Sequence, residues 1–429
     1  MIKKNNIMSV IVILLLLFFA LKLWADFEKY VIILSAWILP LQMLVIGSYS
    51  LMSFLSVYIF FVALFKGYFG KNNYPFGIPA LFLMSSIVLS NIFGYFKHWG
   101  SCLTMISLEI LFPYILWRCM NRKKMVIVFL KHIFIFLSLL VLYGLFEELI
   151  RDNPLIKFMT TNDAFSKAIG YTMEVRFGLK RLQSFLPLCG ALGCCCTMNF
   201  LLVGYWQSYK NEPILPINKY APYLLIGLFL CTLFTGTRSV IAGFFVMLLF
   251  FVNKHTLKSK KIQFFIPFLF FAIIMSLGFI DSILDSFSNT DSVNGSNSDM
   301  RQMQFDLALF FMGQSPLVGN GLAYTFEYVQ AFFPDEILGA ESVWFPLMID
   351  QGILGVVSYS VFLFVPFFYG IKNKNLAVVF CVLSFAIEKT LSSLPGINIS
   401  YFMVYVILLI KIQLFFDLKK NERTIKKIA

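Results

Sequence analysis

The stretch Asp281-Ser-Ile-Leu-Asp-Ser-Phe-Ser-Asn-Thr-Asp-Ser-Val-Asn-Gly-Ser-Asn-Ser-Asp299 is the longest departure from hydrophobic sequence in a chain otherwise built for lipid. It opens a polar segment that runs on to Gln351. A helical pattern led by Arg301 follows, then a Gly319-Asn-Gly321 turn, an aromatic patch, and Glu341-Ser-Val-Trp-Phe345 feeding a new apolar run. A loop of this length inside a compact fold is functional or disordered. An arginine, a glycine turn and a carboxylate at a helix mouth favour function.

Outward from that stretch the composition decides the class. Hydrophobic residues make up 59% of the 429 and charged residues only 13%, with a mean hydropathy of +0.81. Soluble domains carry about 25% charged residues, so the chain reads as an all-α polytopic membrane protein, and residues 1–429 as one integral membrane domain. A net charge of +13 raises nucleic acid as a partner. The lysines and arginines, however, sit in short clusters between apolar runs, which is a topology signal and not a binding stripe. All eight cysteines fall in or at the edge of apolar runs. None pairs with histidine at metal-site spacing, so neither metal nor cofactor is expected. Cys194-Cys-Cys196 reads as small membrane-packing residues.

A spanning helix needs about 20 apolar residues. Candidates lie at roughly 7–24, 30–47, 50–66, 76–96, 100–117, 125–147, 184–206, 221–236, 238–252, 263–280, 343–368, 376–391 and 397–416. The first lacks a small-residue cleavage site after it and reads as a retained helix. The basic clusters 118–124, 254–261, 372–374 and 419–427 belong in the cytoplasm by the positive-inside rule, and alternation from Arg118 onward satisfies all of them. The N-terminal lysines agree only if one early segment fails to cross. The suspect is 30–47, interrupted by Pro40 and Gln42. The expectation is about 12 crossings with both termini inside and two large outer loops, at about 148–183 and 281–342. The inside loops hold no phosphate-binding glycine loop.

Four basic sites break the charge rule on the outer face. Arg176 and Arg181, in Arg176-Phe-Gly-Leu-Lys-Arg181-Leu-Gln-Ser184, end the first outer loop and lead into a helix. Arginine's planar fork suits phosphate oxygens, so these residues can clamp pyrophosphate; headgroup contact or snorkelling is the competing reading. Arg238, in Thr235-Gly-Thr-Arg-Ser239, joins two apolar runs with almost no polar length between them, and arginine so near hydrocarbon is paired or functional. Arg301 follows Asp299, which can cap a helix with Gln302. Phe305, Ala308, Leu309 and Met312 then recur at helical spacing, giving a short amphipathic helix on the membrane face. Its positive first turn suits a bound anion or a neighbouring carboxylate. Glu341 opens the helix read over 342–368, where positive neighbours favour its ionised form; it can orient or deprotonate a hydroxyl, or serve as an ordinary helix-end acid. Glu109, His132, Asp350 and Glu388-Lys389 lie in or near apolar runs as a proton relay or, by the favoured reading, as buried hydrogen-bonded groups. Glu388-Lys389 can also line a site at the outer face.

In order and membrane placement, several motifs resemble the bacterial O-antigen polymerases (Wzy-type) and, more distantly, the O-antigen ligases. These are Arg181-Leu-Gln-Ser-Phe185, Thr235-Gly-Thr-Arg238-Ser239, Arg301 followed by Gln314-Ser-Pro-Leu-Val-Gly-Asn-Gly321, and Glu341-Ser-Val-Trp-Phe-Pro-Leu-Met-Ile-Asp-Gln-Gly352-Ile-Leu-Gly355. The resemblance implies a class C glycosyltransferase-like, metal-independent enzyme in the bacterial inner membrane, active on the periplasmic face. It joins undecaprenyl-pyrophosphate-linked oligosaccharide repeat units, amid membrane lipid and alongside a polysaccharide chain-length regulator. Arg181, Arg238 and Arg301 would stabilise charge on the leaving pyrophosphate, Arg176 would bind it too, and Glu341 stands where the ligases are expected to carry a catalytic histidine. No histidine follows His255, which disfavours ligation. An O-antigen ligase and a lipid-linked oligosaccharide flippase are the rivals. A transporter places its charges near the bilayer midplane, whereas these cluster at one face.

Overall fold

Without water to satisfy it, a peptide backbone crosses lipid only when its hydrogen bonds close within the segment or its barrel. The computed structural model accordingly turns the apolar runs into helices. It describes residues 2–46, 49–70, 73–159, 175–176, 179–186, 188–207, 217–252, 298–337, 340–392 and 398–416. The candidate span at 263–280, the polar stretch up to residue 297 and the basic clusters at 254–261 and 419–427 lie outside the described residues.

In chain order the helices are α1 (Ile2–Ala25), α2 (Phe27–Ala36), α3 (Ile38–Met43), α4 (Leu51–Phe65), α5 (Gly77–Phe93), α6 (Trp99–Cys119), α7 (Lys123–Ile150), α8 (Pro154–Met159), α9 (Cys189–Gln207), α10 (Ile217–Phe234), α11 (Arg238–Val252), α12 (Ser298–Gln314), α13 (Trp344–Lys372), α14 (Leu376–Leu391) and α15 (Ile399–Phe416). Five of these, α6, α7, α9, α13 and α15, are long and apolar enough to cross a membrane. Shorter apolar helices accompany them. The suspect early segment is α2 and α3, separated at Trp37 with Pro40 inside α3. Strand pairing among the described residues is confined to two-residue antiparallel ladders at 45–46 with 49–50 and at 175–176 with 179–180.

Helix association in lipid rests on van der Waals contact, so small residues mark the closest approaches. Helix α9 is 94% buried over its apolar window and forms the centre. A Cβ at its Gly193 would meet Val240 of α11, and Cys194, Cys195 and Cys196 are all fully buried. These small residues let the two helices touch. Helix α11 runs antiparallel to α14: its Gly243 lies under Glu388, while Phe250 meets Phe380 with ring centroids 6.3 Å apart. The start of α11 and the end of α14 therefore share one end of the bundle.

The helix expected over 342–368 begins at Trp344, reaches Lys372 and breaks at Gly352 (φ 61, ψ −157). The hydrogen bonds at the break are re-routed. The Ile353 and Leu354 N–H groups donate to Pro316 and Leu317 carbonyls at 2.9 and 3.0 Å. The carbonyls of Ile349 and Asp350, which an unbroken helix would have used, accept instead from Asn320 and Gly321 N–H at 2.9 and 3.0 Å. Segment 316–321 is thus spliced into the break and supplies these four groups with partners. Gly321 (φ 114) lies against the backbone of Gly94 and Phe96, where a Cβ would collide. The Gly-Asn-Gly motif serves this backbone latch.

Helix α12 departs from expectation at its start: it is already helical from Ser298, so Asp299 lies inside it. Its buried face carries Gln304, Ala308 and Phe311, while Phe305 and Leu309 are exposed. Gln304 anchors the buried face: its amide donates to the Ile337 carbonyl at 3.2 Å, and its oxygen accepts from Glu341 N–H at 3.2 Å.

Candidate functional site

Arg181 and Arg238 come together through one turn. Arg181 is only 7% exposed; its Nε donates to the Thr235 carbonyl at 3.0 Å and a terminal nitrogen to Thr237 Oγ1 at 3.1 Å. Leu182 N–H adds a bond to the Phe234 carbonyl at 2.9 Å. The segment 179–186 is thereby fastened onto the α10–α11 turn. Arg238, half-buried, is the first residue of α11. An arginine in the first turn of a helix, where N–H groups lack intrahelical acceptors, is a combination suited to phosphate oxygens.

A carboxylate that sequence reading passed over builds this loop. Glu147, in the last turn of α7 and fully buried, accepts from Lys180 Nζ at 3.1 Å and from Ser184 N–H at 2.6 Å, with longer bonds from Gln183 N–H. Asn153 donates to the Ser184 carbonyl at 2.6 Å, and Ser184 takes a left-handed φ of 54°. Next to Asn153, a hydrogen bond from Lys157 holds the exposed Asp152 carboxyl below its ordinary range. The sequence signal was present: an acid within an apolar run demands a partner, and Lys180 lies 33 residues on. Arg176 lies in the two-residue ladder with Leu179; its side chain lies outside the described residues.

Arg301 and Glu341 form a second group. One Arg301 nitrogen donates to the Leu391 carbonyl at 2.8 Å and lies 3.7 Å from Glu341 Oε2; the two side chains are 35% and 32% exposed. Of the alternatives open for Arg301, the neighbouring carboxylate is therefore present. Glu341 sits three residues before α13, held by its N–H on Gln304. Val343 N–H donates to the Lys389 carbonyl at 3.1 Å and Trp344 Nε1 to Thr390 Oγ1 at 2.9 Å, tying the start of α13 to the end of α14.

The two groups share one end of the bundle. Arg238 is five residues from Gly243, about 7.5 Å of helix. Leu391, which holds Arg301, is three residues, about 4.5 Å, beyond Glu388, and Gly243 and Glu388 touch. Near the start of α13 opens a cavity of about 350 Å³ lined by Val343, Pro346, Glu109, Tyr359, Asp350 and Lys389 among others. Its carboxylates are separately engaged: Glu109 accepts from Ser400 N–H at 3.1 Å, and Asp350 accepts from Thr325 Oγ1 at 2.6 Å and from the Thr325 and Ala323 N–H groups. His132 pairs distantly with Trp37 Nε1 at 3.5 Å. Glu109 and Asp350 are thus held by local hydrogen bonds, as the favoured reading expects. Lys389 lines the cavity; Glu388 is fully buried against Gly243. Outside the cavity Tyr324 stacks on Tyr328 at 4.7 Å, and burial raises its phenol above the ordinary range.

Fold and site together define a multi-pass helical membrane protein with arginines and a carboxylate gathered at one end of its bundle. Residues 223–360 match the family model described as O-Antigen ligase, Wzy_C. That match supports membership of the chain in the O-antigen polymerase/ligase family. It spans Arg238, Arg301 and Glu341 and stops short of Arg181. No curated protein matches the chain.

Proposed function

We propose that the protein is an O-antigen polymerase, joining undecaprenyl-pyrophosphate-linked oligosaccharide repeat units on the periplasmic face of the inner membrane. The observation that supports this reading is that the Thr235–Arg238 turn, held by Arg181, and the Arg301–Glu341 pair lie at the same end of the bundle. Arg238 and the first turn of α11 receive pyrophosphate oxygens, and Arg176 adds to their binding. Arg181, engaged with Thr235 and Thr237, positions that turn. Arg301 faces charge developing on the leaving group and holds Glu341 in place. The acceptor sugar's hydroxyl attacks the anomeric carbon of the growing glycan; the bond to pyrophosphate breaks, and the hydroxyl proton passes to Glu341. Electrostatic stabilisation of the departing pyrophosphate supplies most of the rate, and the carboxylate contributes as base or orienting group.

The family description names ligation, so the test separates the two. The gene is deleted in its host and the surface polysaccharide resolved by gel. Loss of a polymerase leaves core bearing a single repeat unit. Bare core with accumulated lipid-linked polymer marks a ligase instead, and bare core without polymer marks a flippase. Either of the last two outcomes overturns the proposal.

A further inference from the structure

Helix α7 carries Glu147 at one end and begins at Lys123; its 28 residues rise about 42 Å. The far end of the bundle therefore lies a full membrane thickness from the arginine site. There a second cavity, about 450 Å³, opens between Lys66, Tyr68, Trp117, Arg118, Lys411 and Glu28. Among the described residues its charges do not balance. Glu28 already accepts from Arg122 at 3.0 Å and from the Tyr68 hydroxyl at 3.2 Å. Counting Arg122, four described cations lie around one described carboxylate.

Lys411 is the informative member. Positive-inside topology accounts for lysines in loops, but Lys411 lies within α15, is 7% exposed, and rests its ammonium on the Trp117 ring at 3.9 Å. Among the described residues no carboxylate lies within ion-pair distance of it. A lysine turned inward from a spanning helix is costly unless something answers its charge. Lys66 shares the cavity, anchored on the Trp24 carbonyl at 2.7 Å. The rim explains what kind of anion fits. Trp24 on α1 and Phe61, Leu64 and Phe65 on α4 are 58%, 51%, 54% and 76% exposed, an apolar strip leading up to the cavity mouth.

We infer that this cleft binds the phosphate headgroup of an anionic membrane lipid, with Lys411 and Lys66 on the phosphate and the acyl chains along the α1–α4 strip. The inference is independent of the activity proposed for the other end. The test uses the full chain in neutral detergent, titrated with phosphatidylglycerol or phosphatidylcholine, with bound lipid counted by native mass spectrometry and inorganic phosphate as competitor. Phosphatidylglycerol is expected to bind tightly and phosphatidylcholine weakly. Lys66→Gln and Lys411→Gln should each weaken phosphatidylglycerol about fivefold, and the double variant about 25-fold. The exposed Lys219→Gln should change nothing. Lys66 is exposed, so its variant folds even if Lys411→Gln does not. Equal binding of the two lipids, or Lys66→Gln binding like the parent, overturns the inference. So does displacement of phosphatidylglycerol by equimolar inorganic phosphate, which marks a soluble-anion site.

Discussion

Replacing Glu147 by glutamine tests the architecture behind the arginine site without touching an arginine. The parent carboxylate is fully buried and answers Lys180, itself 6% exposed, together with the N–H groups of Gln183 and Ser184. Glutamine keeps the shape and leaves one oxygen for the 2.6 Å bond from Ser184. It also leaves Lys180 charged in a dry site and turns an NH2 toward donors. Removing one member of a buried pair costs about 3–5 kcal/mol, while replacing both by apolar groups of similar volume is close to neutral. We expect Glu147→Gln to lose about 3 kcal/mol, at the low end because one hydrogen bond survives. The double variant Glu147→Gln/Lys180→Met should recover more than half. The assay is thermal unfolding in detergent followed by intrinsic fluorescence, with glycan elongation measured on the same samples. Because Glu147 acts through the loop that carries Arg181, elongation should fall mainly through a raised KM for the lipid-linked donor and should return in the double variant. A single variant as stable as the parent, or a double no better than the single, refutes the pairing argument.

Further expectations concern the site itself. Arg238→Lys and Arg301→Lys should keep normal membrane abundance yet lose long-chain polymer, because a point charge lacks the planar fork; full polymer from either reduces that residue to generic charge. Glu341→Gln should retain donor binding and slow elongation of purified protein on synthetic lipid-linked repeats by about 100- to 10,000-fold; a parental rate sends the search for a base elsewhere. Gly352→Ala forces a side chain into φ 61, ψ −157 against the Pro316 carbonyl. It should cost at least about 1–3 kcal/mol and be read as a lowered unfolding midpoint; an unchanged midpoint denies the spliced break its role.

Composition and periodicity alone determined that this chain lives in lipid, because a backbone with so few charges has no other solvent. They also singled out Arg181, Arg238, Arg301 and Glu341 as candidates, since a charge kept near hydrocarbon stands out against its surroundings. What they could not supply was partnership. Glu147 and Lys180 are 33 residues apart, and Arg301 and Leu391 are 90 apart. The Arg181 loop meets the Thr235 turn only because the ends of α7 and α10 and the start of α9 come together. In α12, Gln304 satisfies two backbone groups that no pattern of hydrophobic residues reveals. The helix expected to run unbroken through Gly352 is opened by segment 316–321, whose carbonyls and N–H groups replace the helix's own. Local sequence sets which segments become helices, since helical hydrogen bonds close within four residues. Which charged ends meet is set by helix packing across the bundle, where small residues at Gly193 and Gly243 decide how closely the helices approach.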